Sequence, residues 1–63
     1  MTIMKAERLT GYQIRELRLE RDKVTFGAFD GPILVAKTSG RVEWMALKSL
    51  VHHVYLLHSR ISL

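Results

Sequence analysis

Apolar residues change their spacing once along this chain, and the change divides it into two parts. In the last third, Leu47, Leu50, Val51, Val54, Leu57 and Ile61 recur at steps of three and four. That spacing gathers side chains onto one stripe of an α-helix and predicts a helix from Ala46 to Ile61. An apolar stripe must be covered, and the only material for the cover is the alternating, strand-like region before it. There Val24-Thr25-Phe26-Gly27-Ala28-Phe29 sets Val24, Phe26 and Ala28 on one face, and Ile33-Leu34-Val35-Ala36 is a short run of the kind that fills a strand.

Turn residues mark the joints. Arg21-Asp22-Lys23, Asp30-Gly31-Pro32 and Thr38-Ser39-Gly40 separate the runs. The segment Tyr12 to Glu20 is read as a further strand. Its Ile14, Leu17 and Leu19 are spaced by three and then two, so it needs a bulge to keep its apolar residues in register. Arg41 to Met45 reads as a fourth strand alternating Val42 and Trp44 with Arg41 and Glu43, or else as the first turn of the helix. Residues 1–11 are expected to be a flexible or loosely packed N-terminal segment. The predicted fold is α+β: a single small domain, 1–63, with an antiparallel β-meander of three or four strands covered by one C-terminal α-helix.

A second reading stays open. The run Gly40-Arg41-Val42-Glu43-Trp44-Met45-Ala46-Leu47-Lys48-Ser49-Leu50 resembles the fourth strand and short 3₁₀ turn of SH3-like small barrels. That resemblance, over about a dozen residues, implies an all-β fold with Val51 to Leu57 as a fifth strand. The two-residue alternation it requires is poor there, whereas the helical stripe is nearly unbroken.

Size and composition narrow the function. A chain of 63 residues buries only about 60% of the surface its unfolded form exposes, so core packing or self-association must supply its stability. With no cysteine it has neither disulfides nor thiolate metal ligands, which fits a reducing compartment, and a cytoplasmic location is expected. No apolar run is long enough to serve as a signal peptide or to span a membrane, so no membrane partner is expected. The formal charge is +4, spread as +1, +1, 0 and +2 over residues 1–11, 12–23, 24–40 and 41–63, without a basic block.

Candidate chemistry is sparse. His52, His53 and His58 stand five and six positions apart in the distal pairs, which does not align two imidazoles on one helix face as metal pairs at i and i+4 do. The serines and carboxylates lie in turn or charged contexts without an activating base. Gly27 and Gly31 lack the lysine and helix of a phosphate loop. No enzyme, cofactor or metal is expected. The aromatic residues read as core, with Trp44 as a plug between sheet and helix.

One pattern points outward. Val42, Met45, Ser49, His52 and Leu56 form a second seam on nearly the opposite side of the helix. The seam predicts a non-catalytic protein-binding module, homodimeric and docked on a larger protein or nucleoprotein complex. Met45, His52 and Leu56 are its contacts, and Arg15, Arg18 and Arg21 a polar rim. In size and type such chains resemble small regulators, antitoxin-like proteins and phage or mobile-element inhibitors, including anti-CRISPR-like ones. The alternative is a nucleic-acid-binding module using Arg15, Arg18, Arg21, Lys23 and Lys37 on the exposed sheet face. That reading gains if folding gathers those bases and keeps the acids elsewhere.

Overall fold

The computed structural model, which describes residues 1–61, divides the chain into α1 (Ile3–Thr10), β1 (Gln13–Leu19), β2 (Val24–Asp30), β3 (Ile33–Gly40) and α2 (Glu43–Ile61). The strands form an antiparallel meander in the order β1-β2-β3. Helix α2 lies across β3 and β2, and α1 packs beside it against β1. This is the predicted meander with its C-terminal helix, built with three strands and one helix more than expected.

Two expectations change at the ends of the sheet. Residues 43–45 of the proposed fourth strand open α2, which closes its first turn with the Ala46 amide donating to the Val42 carbonyl at 3.1 Å. Glu43 in that first turn suits the positive end of the helix dipole. Residues Val51 to Leu57 are helical as well, so the SH3-like barrel is excluded. At the other end, residues 1–11 are not loose. Thr2 caps α1 by accepting from the Lys5 amide at 3.2 Å, and Gly11 ends it at φ 76°, a left-handed conformation that favours glycine. Ala6 of α1 is fully buried, and the Glu7 carboxylate accepts from the Ile14 amide at 3.0 Å, tying the helix to β1.

Each strand resolves its own spacing. The predicted bulge in β1 falls between Glu16 and Arg18, where the pairing with β2 shifts. A second shift, in β3 between Leu34 and Ala36, leaves Val35 as the extra residue. The β2–β3 hairpin turns on Gly31-Pro32, with Gly31 at φ 59° in the first central position, where a type II′ turn requires a positive value.

The core is Ala6, Ile14, Val24, Phe26, Ala28, Ala36, Ala46, Leu47, Leu50 and Val54. Four of these are alanines, and the small size of Ala28 and Ala36 on the sheet and Ala46 on α2 lets the helix approach the sheet closely. The approach is tight at Gly40, where an added β-carbon would stand 2.6 Å from the Ala46 backbone nitrogen and 3.0 Å from its α-carbon. Beside it, the Thr38 hydroxyl donates to the Ala46 carbonyl at 2.8 Å. The side chain of Ile61, assigned to the helical stripe, lies outside the described residues.

Two substitutions test this packing. A domain of this length has a total stability of about 3–9 kcal/mol. Leu50→Ala, emptying a fully buried site, is expected to remove about 3 kcal/mol in a urea titration. Gly40→Ala forces a methyl group against backbone that cannot rotate away and is expected to cost about 2 kcal/mol. A Gly40→Ala variant as stable as the parent would disprove the close approach.

Candidate interaction surfaces

Burial of one side of α2 fixes what the other side shows. With Ala46, Leu47, Leu50 and Val54 turned to the sheet, a turn of about 100° per residue puts Met45, Ser49, His52 and Leu56 on the far side. All four are exposed, as the second seam required. Trp44 and Tyr55 fall next to it, separated by Lys48, and are exposed too. Trp44 retains 53% of its accessible surface, Tyr55 69%, Met45 40% and Leu56 48%. Trp44 is therefore not the core plug expected of it. Ala46, Leu47 and Leu50 take the inward positions, and Trp44, about 200° from Ala46 but only about 60° from Leu47, falls on the flank of the helix, where about half of its surface is open.

Leu9 of α1, also exposed, extends this surface. With Val51, Val54, Tyr55 and His58 it lines a groove between the two helices. At its margin the Tyr12 hydroxyl and His58 Nε2 lie 2.7 Å apart, with the rings edge to face at 5.6 Å. His52 and His53 project into solvent. Among the described residues no three metal-ligating side chains converge, and no helix is long and apolar enough to cross a membrane.

The outer face of the sheet is the second surface. Because neighbours across an antiparallel sheet share a face, the register groups the side chains directly. Thr25, Gly27 and Phe29 of β2 point away from the helices, with Ser39, Lys37 and Leu34 of β3 on one side and Arg18, Arg15 and Gln13 of β1 on the other. The bulge adds Leu17 to this face. A β-carbon at Gly27 would stand 2.8 Å from Leu17 Cδ1 and 2.9 Å from Leu34 Cδ1, so the two leucines close over the central strand through the space glycine leaves. The Arg15 guanidinium sits 4.9 Å from the Phe29 ring centre, and Arg15 also donates to the Gln13 side chain at 2.9 Å.

Four of the five expected bases border this face. Arg15, Arg18 and Lys37 rise from the edge strands, and Lys23 joins Arg18, Thr25, Lys37 and Ser39 around one shallow depression. Arg21 stands apart in the β1–β2 loop. Among the carboxylates, Glu20 lies within 3.4 Å of both Arg18 and Lys23. Glu16 pairs with buried Phe26 and so sits on the helix side. Strand alternation thus turns Glu16 away from Arg15 and Arg18, while Glu20 stays beside two of the bases. It also removes Arg15, Arg18 and Arg21 from the rim of the α2 seam, since two of them lie across the sheet and the third in the hairpin loop.

No protein-family model, curated protein or solved structure matches this chain.

The exposed residues of α2 contribute less to folding than its buried ones, and this is measurable. Leu56→Lys is expected to change unfolding free energy by about 0.5 kcal/mol or less in urea titrations and Trp44→Ala, half covered, by about 1–2 kcal/mol, against about 3 kcal/mol for Leu50→Ala. A large loss at Trp44 would return it to the core.

Proposed function

We propose that the protein is a non-catalytic protein-binding module that presents the outward face of α2 to a larger protein. The supporting observation is the concentration of Trp44, Met45, Tyr55 and Leu56, all large, apolar and open to solvent, on one face of a single helix. Large apolar side chains cost solubility when left uncovered, and tryptophan, tyrosine and methionine are enriched at interface centres. Here they stand as two pairs, Trp44 with Met45 and Tyr55 with Leu56, about 16 Å apart along the helix. Between Trp44 and Arg60 there is no carboxylate, while Lys48 and Arg60 supply positive charge. The complementary partner surface is an apolar groove with carboxylates at its rim, which would pair with the cations without burying them.

The face has a rigid base. Its residues stand on a helix anchored to the sheet by Ala46, Leu47, Leu50 and Val54, so docking requires ordering of side chains alone. The spacing of Met45, Ser49, His52 and Leu56, four then three then four, reads the same in both directions, so a second copy in antiparallel orientation is the competing occupant.

A photo-crosslinking residue at Tyr55, compared with one at Thr25 on the opposite face, tests the reading in extract from the source cell. The expected result is a discrete, saturable adduct to another protein from Tyr55 alone, lost in Leu56→Arg while thermal stability is retained. An adduct between two copies of the chain, adducts of equal pattern from both positions, or none from Tyr55 would overturn it.

A further inference from the structure

We infer that the outer face of the sheet is a binding trough for single-stranded nucleic acid, independent of the α2 face. Its floor is Thr25 of the central strand, bordered by the Leu17 and Leu34 side chains that close over Gly27. Its walls are the edge strands, with Arg15 and Arg18 on β1 and Lys37 on β3. Adjacent strands lie about 4.8 Å apart, so the two walls of cations stand about 10 Å from each other, the width of one sugar-phosphate chain with its bases turned aside. Lys23 closes the end of the trough beside Arg18. The Thr25 and Ser39 hydroxyls, 2.7 Å apart on the floor, offer hydrogen bonds to phosphate or sugar oxygens.

The apolar part of the face decides between ligands. Cations alone would accept any polyanion, a duplex or an acidic polypeptide included. Here the Arg15 guanidinium lies against the Phe29 ring next to Leu17 and Leu34, and each leucine keeps more than 40% of its surface exposed. The guanidinium stands 4.9 Å from the ring centre on an exposed residue, and unpaired bases stack on guanidinium planes and aromatic rings. A duplex keeps its bases stacked internally and has none to place there. A carboxylate chain gains nothing from the leucines. The Glu20 carboxylate, shared by Arg18 and Lys23, holds these two side chains near the trough and gives them up to phosphate at little cost, because exposed ion pairs are weak.

Fluorescence anisotropy of a labelled thymidine oligomer of about twelve nucleotides, within the range small single-strand-binding domains cover, tests the site on the intact chain. Saturable binding is expected at low salt, with log K falling against log salt at a slope of about −2 to −3, the value for three or four phosphates on a single strand. Arg15→Glu combined with Lys37→Glu should lower affinity by about tenfold or more with unchanged circular dichroism. Arg15→Lys should keep the slope but lose affinity severalfold, because charge remains and the stacking plane does not. Absence of binding at low salt, equal or tighter binding of the matching duplex or of polyglutamate, or indifference to the double charge reversal would each overturn the inference. Leu56→Arg on the far side of the domain should leave oligomer binding unchanged, so failure of either surface is read separately.

Discussion

The contact between the start of α2 and the end of β3 governs the rest of the molecule. Gly40 has no side chain where the Ala46 backbone arrives, and the Thr38 hydroxyl fixes the Ala46 carbonyl beside it. With Ala46 held against the sheet, the phase of the helix is set from its first turn. Leu47, Leu50 and Val54 must then turn inward, Met45, Ser49, His52 and Leu56 have nowhere to go but outward, and Trp44 is left half open on the flank between them. Only two residues, Arg41 and Val42, separate strand from helix. So short a connection leaves α2 no freedom to roll and hide its aromatic face. The exposure of Trp44 is thus a consequence of small residues elsewhere.

A similar economy shapes the other side of the sheet. The central strand carries its bulk inward at Phe26 and almost none outward at Gly27. Side chains from both edge strands lean into that gap, and the bulge at Glu16 to Arg18 puts Leu17 and Arg18 on the same outer surface. Without the bulge, alternation alone would turn Arg18 to the helix side and break the row of cations. The irregularity in β1 is therefore what aligns its charge with Lys37 of β3.

Much of the architecture was legible in the sequence because it rests on periodicity. The stripe from Leu47 onward, the turn at Gly31-Pro32 and the bulge demanded by Ile14, Leu17 and Leu19 each follow from local spacing. Helix α1 was missed because eight residues carry barely two turns of pattern, although its limits, a capping Thr2 and a left-handed Gly11, were present in the sequence. Val42 and Trp44 alternate as strand residues do. The deciding fact, that Ala46 must sit on Gly40, is a contact between segments that no window of spacing contains. The position of the second α2 seam was readable from the same helical phase, whereas which acids share a face with the bases depends on pairing register and could be posed only as a question; Glu16 is turned away and Glu20 is not.

The domain is two layers deep, and its shortest principal extent is 17 Å. Its two exposed faces are back to back, so a ligand held on one leaves the other sterically open. For such an arrangement the relevant quantity is effective concentration. Given the proposed protein-binding face of α2 and the inferred strand-binding face of the sheet, a nucleoprotein target offering both an acidic, apolar groove and a nearby unpaired strand would be gripped at two points by one small rigid body, with avidity beyond either contact alone. The same target with its strand withdrawn would be held by a single weak face, which would make a module of this thickness a sensor of whether protein and strand are present together.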